Sequence, residues 1–192
     1  MEIRSVCVYC AASSEAPAWL FDEAKGFGAG LARRGWRLVY GGASIGVMGA
    51  LADATLAAGG QVLGVIPKAL VGREVAHSGL TELRVVDTMH DRKAEMFKSA
   101  EAFVAFPGGF GTMEEFFEML TWKQLGIHSK PIIFVNSQGY YDHLLAQFER
   151  AIADGIIRKE NRVLYAVAQD QEHVFSMLED ATVLNRVPGK WY

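Results

Sequence analysis

A chain of 192 residues with a formal net charge of −3 has the length of one ordinary domain and lacks the overall basic footprint of a nucleic-acid binder. Hydrophobic residues make up 51% and charged residues 21%, which excludes a disordered chain and supplies enough apolar surface for a sizeable core. The first residues, Met1-Glu2-Ile3-Arg4-Ser5, lack the charged-then-apolar order of a secretory signal, and no apolar stretch reaches membrane-spanning length. The expectation is a cytoplasmic protein with a small-molecule ligand, no membrane and no nucleic acid.

Apolar and β-branched runs predict strands near 5–10, 37–40, 61–66, 82–86, 102–105 and 132–135, with a late one near 163–167. Helical periodicity predicts helices over 19–34, 47–58, 90–100, 112–125, 141–154 and 172–178. Strand–helix alternation of this kind argues for a mainly parallel sheet covered on both faces, a Rossmann-like, doubly wound three-layer α/β sandwich. Within the first strand, Cys7 and Cys10 have the C-x-x-C spacing of redox or metal sites. A separation of three points the two thiols to opposite faces, so buried free cysteines are the better reading. The five histidines show no ligand spacing, and no metal is expected.

In such folds ligands bind beyond the carboxyl ends of the strands, near the point where strand order reverses. The loop Cys10-Ala11-Ala12-Ser13-Ser14 is small and hydroxyl-bearing, and Ser13 is either a cap or a ligand contact. Tyr40-Gly41-Gly42-Ala43-Ser44-Ile45-Gly46-Val47-Met48-Gly49 leads from a strand to a helix, with Gly42 near its start. It matches neither the dinucleotide G-x-G-x-x-G pattern nor a Walker A loop, since no Gly-Lys-Ser/Thr triplet occurs. Gly59-Gly60 reads as a helix stop. The connection 67–81 is long for a compact domain, and a short helix over 68–75 near the ligand edge would account for it.

Two stretches carry chemistry. Met89-His90-Asp91-Arg92-Lys93 opens a helix; basic residues there oppose the helix dipole, so either they form a solvated patch or a nearby anion explains them. Arg92 is the better candidate, because its planar fork grips phosphate or carboxylate in two places. Pro107-Gly108-Gly109-Phe110-Gly111-Thr112-Met113-Glu114-Glu115 turns a buried strand into a helix, with three glycines within four positions. Such a helix start gathers free N–H groups and the positive end of the dipole, which is what a phosphate needs. Thr112 and Glu115 also fit a capping box, with Thr112 as the cap and Glu115 at the third helical position. An ionised Glu115 there suits stabilising positive charge or activating water, and suits donating a proton poorly.

These stretches, together with Trp122-Lys123-Gln124-Leu125-Gly126-Ile127-His128-Ser129-Lys130-Pro131, resemble the LOG (Lonely Guy) family of cytokinin riboside 5′-monophosphate phosphoribohydrolases, long mislabelled as lysine decarboxylases. The resemblance spans about residues 5–154. It implies a homodimeric, Rossmann-like enzyme, without a cofactor, that cleaves the N-glycosidic bond of N6-modified AMP to free base and ribose 5-phosphate. By motif, the family's catalytic arginine and glutamate fall on Arg92 and Glu115, and its phosphate-binding turn on Gly108, Gly109, Gly111 and Thr112. Ser13 and Gly42 are expected on the phosphate and ribose side of the substrate, and Met89 and Lys93 on the base side. Ala43, and Ala11-Ala12 before Ser13, stand where many members carry glycine or serine, which leaves the reaction in place and bears on substrate preference.

Other readings keep a place at this level. A general purine nucleotide nucleosidase acting on AMP, or a nucleotide-binding module without catalysis, would use the same glycine loops. A decarboxylase would need PLP, and no lysine here has a recognisable Schiff-base context. The helix after Pro107 is rich in apolar bulk (Phe116, Phe117, Met119, Leu120, Trp122), so a dimer packed through it, with an active site shared between subunits, is expected. The tail ends in Trp191-Tyr192, aromatics expected to pack on the body or the partner.

Overall fold

The computed structural model describes residues 3–72 and 76–180; the aromatic tail and the last part of the expected 68–75 helix lie outside the described residues. Seven strands, β1 (Ser5–Tyr9), β2 (Arg37–Tyr40), β3 (Val62–Pro67), β4 (Glu82–Val86), β5 (Ala102–Ala105), β6 (Ile132–Val135) and β7 (Ala166–Ala168), form one sheet in the order β4-β3-β2-β1-β5-β6-β7. All pairings are parallel. Val6 on β1 lies opposite Leu38 on β2 and Ala102 on β5. The chain builds outward from β1 to β4, then returns beside β1 with β5 and builds the other way. The reversal therefore falls between β1 and β5, and the loops that leave those two strands flank the crevice where such sheets bind ligands.

Helices α1 (Ala18–Arg33), α2 (Gly46–Ala57), α3 (Met89–Ser99), α4 (Phe110–Gln124), α5 (Asp142–Ala153) and α6 (Gln171–Glu179) cover the two faces. Alternate strand residues divide between two cores. Val6, Val8, Leu38, Val104 and Ile133 pack with α1, α2 and α6, whereas Cys7, Val39, Leu63, Phe103 and Phe134 pack with α3, α4 and α5. The period of two along each strand produces this division. It also separates the thiols as expected, Cys7 into one core and Cys10 into the other. Burial pushes both well above the ordinary thiol range. Phe106, just past β5, is fully buried with its ring 5.1 Å from that of Phe27. Burying one such ring stabilises by about 2–3 kcal/mol, so the turn that follows leaves from a fixed point.

Three elements depart from the sequence reading. The late strand is shorter and shifted: 159–164 is a 3-10 turn, Lys159–Leu164, and β7 begins at Ala166. The polar run Lys159-Glu160-Asn161-Arg162 has no alternating apolar face to give a sheet, and only Asn161 and Leu164 of this turn are buried. Among the described residues, the connection after β3 carries one 3-10 turn, Lys68–Leu70. Most consequentially, α4 starts at Phe110, capped by Gly109 in an extended conformation with no side-chain hydrogen bond. The expected Thr112–Glu115 capping box is not formed: Thr112 is the third helical residue and Glu115 the sixth, a turn further in. A capping box occurs instead at α3, where Thr88 Oγ1 accepts from the Asp91 amide at 3.0 Å and Asp91 Oδ2 accepts from the Thr88 amide at 3.1 Å.

Candidate active site

The β5–α4 turn is held from behind by two tyrosines that precede α5. The Tyr141 hydroxyl donates to the Phe106 carbonyl at 2.7 Å and the Tyr140 hydroxyl to the Gly108 carbonyl at 2.8 Å. With those carbonyls engaged on the inner side, the first-turn amides of α4 are left to the outer side, without a side chain from the cap. The glycines divide by role. A methyl group on Gly108 would stand 2.1 Å from Thr112 Oγ1, whereas one on Gly109 or Gly111 would meet nothing within 4 Å. Gly108 is thus required for internal packing, and Gly109 and Gly111 leave open space beside the helix start.

Arg92, on α3, reaches across to the ends of the strands on the far side of β1. It is buried, 6% exposed. Nε donates to the Val65 carbonyl of β3 at 3.1 Å and Nη2 to the Gly41 carbonyl just past β2 at 3.2 Å. Hydrogen bonds from a charged donor contribute about 1.5–3 kcal/mol each, so the guanidinium is docked on main chain. Nη1 then lies 3.8 Å from Glu115 Oε1 and 3.9 Å from Met89 Sδ. Close approach at Gly41 is what permits this: an added methyl there would fall 2.0 Å from Nη2. Glu115 is 9% exposed, and the guanidinium beside it offsets part of the cost of burying a carboxylate.

Five strand ends converge on a cavity of about 290 Å³. Tyr9 and Cys10 line it from β1, Gly41 from β2, Leu70 from the connection after β3, Met89 and Arg92 after β4, and Gly109, Gly111, Thr112 and Glu115 after β5. Of the residues expected to bind or act on a ligand, this brings together Met89, Arg92, Gly109, Gly111, Thr112 and Glu115. Ser13, Gly42, Gly108 and Lys93 are not on the lining. Ser13 is exposed and its Oγ accepts from the Glu15 amide at 3.1 Å. Gly42 accepts through its carbonyl from the His77 amide at 3.0 Å. Lys93 is buried and its Nζ is paired with Glu114 and, at 3.1 Å, with Glu118 on α4. Burial acts to lower its pKa, but the two glutamates outweigh that and hold it above the ordinary lysine range. Lys93 thereby ties α3 to α4 and keeps Arg92 facing Glu115.

Several contributors escape sequence reasoning. Gly41 and Gly42 look alike in the motif, and what distinguishes them is the fold: Gly42 takes a positive φ of 81°, whereas Gly41 receives Arg92 from 51 positions away. Tyr140 and Tyr141 lie outside every glycine loop, their one signal being two adjacent aromatics before a helix. Met48, at the start of α2, lines the cavity from within the quoted glycine loop. Chemically, the cavity offers uncapped amides at one helix start, a carboxylate one turn further along the same helix, and a fixed cation beside it. No group of three or more His, Cys, Asp or Glu side chains among the described residues is placed to hold a metal ion.

Comparison with known proteins agrees with this picture. The family model described as "Possible lysine decarboxylase" matches residues 48–178. A cytokinin riboside 5′-monophosphate phosphoribohydrolase of Rhodococcoides fascians is 48% identical over 88% of this chain and 86% of its own length. The probable cytokinin riboside 5′-monophosphate phosphoribohydrolase LOGL1 of Oryza sativa subsp. japonica is 45% identical over 92% of this chain and 79% of its own. Among solved structures, the molybdenum cofactor carrier protein of Chlamydomonas reinhardtii superposes with a TM-score of 0.70 at 21% identity, covering 96% of this chain and 100% of that one. That likeness is one of fold. The match to the family model and the identity to curated relatives over most of their length show that the chain belongs to the LOG family of cytokinin riboside 5′-monophosphate phosphoribohydrolases.

Proposed function

We propose that the protein hydrolyses the N-glycosidic bond of N6-modified AMP, releasing the free base and ribose 5-phosphate. The observation that carries this reading is the placement of Glu115 one turn beyond the uncapped start of α4, in one cavity, with Arg92 Nη1 at 3.8 Å. The 5′-phosphate binds the first-turn amides and Thr112, where the helix dipole favours an anion. Anchoring at that remote group positions the ribose, so binding energy is spent on orientation. As the C1′–N9 bond lengthens, its electron pair leaves with the base and positive charge builds on the ribose. The Glu115 carboxylate stabilises that charge and orients the water whose oxygen attacks C1′. The water's second proton is released as the sugar hydroxyl forms, and the departing base takes up a proton at nitrogen. Arg92 holds the nucleotide and keeps Glu115 in place, and Met89, 42% exposed at the rim, faces the base.

The protein acts in the cytoplasm as a homodimer packed along α4, with the partner completing the base pocket. Among the described residues no helix is long and apolar enough to cross a membrane. Phe110 at 96%, Leu125 at 58% and Ile127 at 59% exposure leave apolar surface at both ends of α4 for a partner to cover. Incubation with isopentenyladenosine 5′-monophosphate and, separately, AMP, with chromatographic detection of base, tests the reaction. Release of isopentenyladenine with little adenine is expected; equal turnover of both would favour a general nucleotide nucleosidase, and no base from either would refute hydrolysis.

A further inference from the structure

The connection between β3 and β4 contains a histidine that neither the motifs nor the proposed chemistry uses. His77 is 9% exposed. Its ring Nδ1 accepts from the Gly79 amide at 3.0 Å. Since an amide can only donate, the ring proton sits on Nε2, and it is donated to Asp53 Oδ1 of α2 at 2.9 Å. The His77 amide in turn donates to the Gly42 carbonyl at 3.0 Å, and Ala76 pairs with Ala43 in an isolated antiparallel bridge. Through one residue, the connection after β3, the loop after β2 and the helix α2 are joined. The Gly42 carbonyl belongs to the residue immediately after Gly41, whose own carbonyl is the acceptor for Arg92 Nη2. The orientation of that acceptor is therefore set on one side by β2 and on the other by the His77 contacts, because Gly42 itself, at a φ of 81°, has no side chain to resist rotation.

The geometry points to His77 as a positioning residue: with Asp53, it clamps the Gly41-Gly42 turn so that the Gly41 carbonyl holds the Arg92 guanidinium in line with Glu115. His77 does not line the cavity, so it acts through Arg92 alone. This inference rests on the proposed hydrolysis for its kinetic consequence but not for its structural one. Replacing the ring leaves the His77 amide and the Ala76–Ala43 bridge in place but cuts their tie to Asp53 on α2, so Gly42 is held less firmly, the Gly41 carbonyl shifts from Nη2, and Arg92 relies on its main-chain contact at Val65.

The test uses the full chain and the variants H77A, H77N, D53A and R92K. Displacement of a charged group by about 1 Å costs up to about 100-fold in rate; H77A should lower kcat by about 10- to 100-fold while changing KM much less. H77N, whose amide oxygen can stand where Nδ1 does, should recover part of that loss. D53A removes a carboxylate that is 69% exposed and so leaves the fold intact; a smaller drop in kcat in the same direction is expected, which keeps the test decisive should H77A fold poorly. In the R92K background, H77A should cost little more, because the two act in one chain of contacts. A structural readout runs beside the kinetics: the Arg92 Nη2–H protons, bonded to the Gly41 carbonyl in the wild type, should exchange with water about 10-fold faster or more in H77A, as a freed donor does, while Nε–H, still bonded to Val65, changes little. Unchanged kcat and unchanged Arg92 exchange in H77A and D53A, or a full, additive loss in the R92K background, would overturn the clamp. If the wild-type protein releases no base, the proposed reaction falls, and the Arg92 exchange still decides for or against the clamp.

Discussion

Replacing Gly41 with Ala separates the positioning of Arg92 from its presence. The added methyl would stand 2.0 Å from Arg92 Nη2 and 2.6 Å from Met48 Cε, against an ordinary contact near 3.5 Å. Gly41 is not in the left-handed region, so the backbone accepts alanine without strain. Both obstructing atoms are the far ends of flexible side chains, and it is they that yield. The guanidinium must withdraw by roughly 1.5 Å, giving up its bond to the Gly41 carbonyl and distorting the one to Val65. Those bonds are worth about 1.5–3 kcal/mol each against no partner, but the displaced head reaches cavity water, so the net destabilisation should be on the order of 1 kcal/mol. The rate should suffer more, by about 10²-fold, since a charge held 3.8 Å from Glu115 is lost from its place. Base release from isopentenyladenosine 5′-monophosphate, measured beside thermal unfolding, gives both quantities. A variant with kcat within about threefold of wild type would show that main-chain docking of Arg92 is dispensable, and the reasoning would fail.

Other outcomes follow from the same geometry. Glu115→Gln keeps the shape and loses the charge: hydrolysis should fall on the order of 10³-fold while nucleotide binding by calorimetry stays close to wild type, and an active variant would remove Glu115 from the chemistry. Gly111→Ala meets nothing within 4 Å and trades a poor helix former for a good one, so the free protein should gain about 0.5–1 kcal/mol while KM for the nucleotide rises, because the methyl enters the space over the first-turn amides. His128 is held neutral: burial, opposed by its bond to the Met119 carbonyl at 2.9 Å, pushes its pKa from 6.5 down to about 4. The unfolded chain therefore takes up the proton first, and stability that is full above about pH 6.5 should decline toward pH 4 by about 1–2 kcal/mol once partial hydration of the site is allowed for. Urea unfolding across that range, with His128→Asn flattening the slope, checks the sign; a slope unchanged by H128N would refute it.

Much of the fold was legible because its signals are local. The strands at 37–40, 82–86, 102–105 and 132–135 coincide with β2, β4, β5 and β6; β5 and β6 are wholly apolar runs, whereas β4 alternates charged and apolar residues. The parallel pairing followed from the helices between them. What escaped was set by contacts distant in sequence. His77 sits in a connection without periodicity, and its partners are Asp53, 24 positions away, and Gly42. Arg92 and Lys93 are neighbours with the same charge, yet α3 turns one to the strand ends and the other to Glu114 and Glu118. No pattern within the pentapeptide specifies which goes where; the packing of α3 on β3 and α4 does. The late strand was displaced because a polar 3-10 turn, Lys159–Leu164, and an edge strand share too few apolar residues to be told apart by period.

The start of α4 shows how a three-residue shift of the cap, from Thr112 to Gly109, alters the chemistry available. Had Thr112 been the cap and Glu115 its reciprocal partner, the carboxylate would be folded back over the first amides of the helix. Those are the amides a phosphate requires, and a carboxylate there would repel it. With Gly109 as the cap the cap has no side chain, and the amides at 110–112 keep their outward aspect. Glu115 then stands four positions after Gly111, on the same face and one turn along the axis. An anion bound at the helix start and a cation developing at the far side of a ribose would lie on that face in the same order. The glycine at the cap, rather than the threonine, is therefore what allows one helix start to hold a phosphate and present a carboxylate.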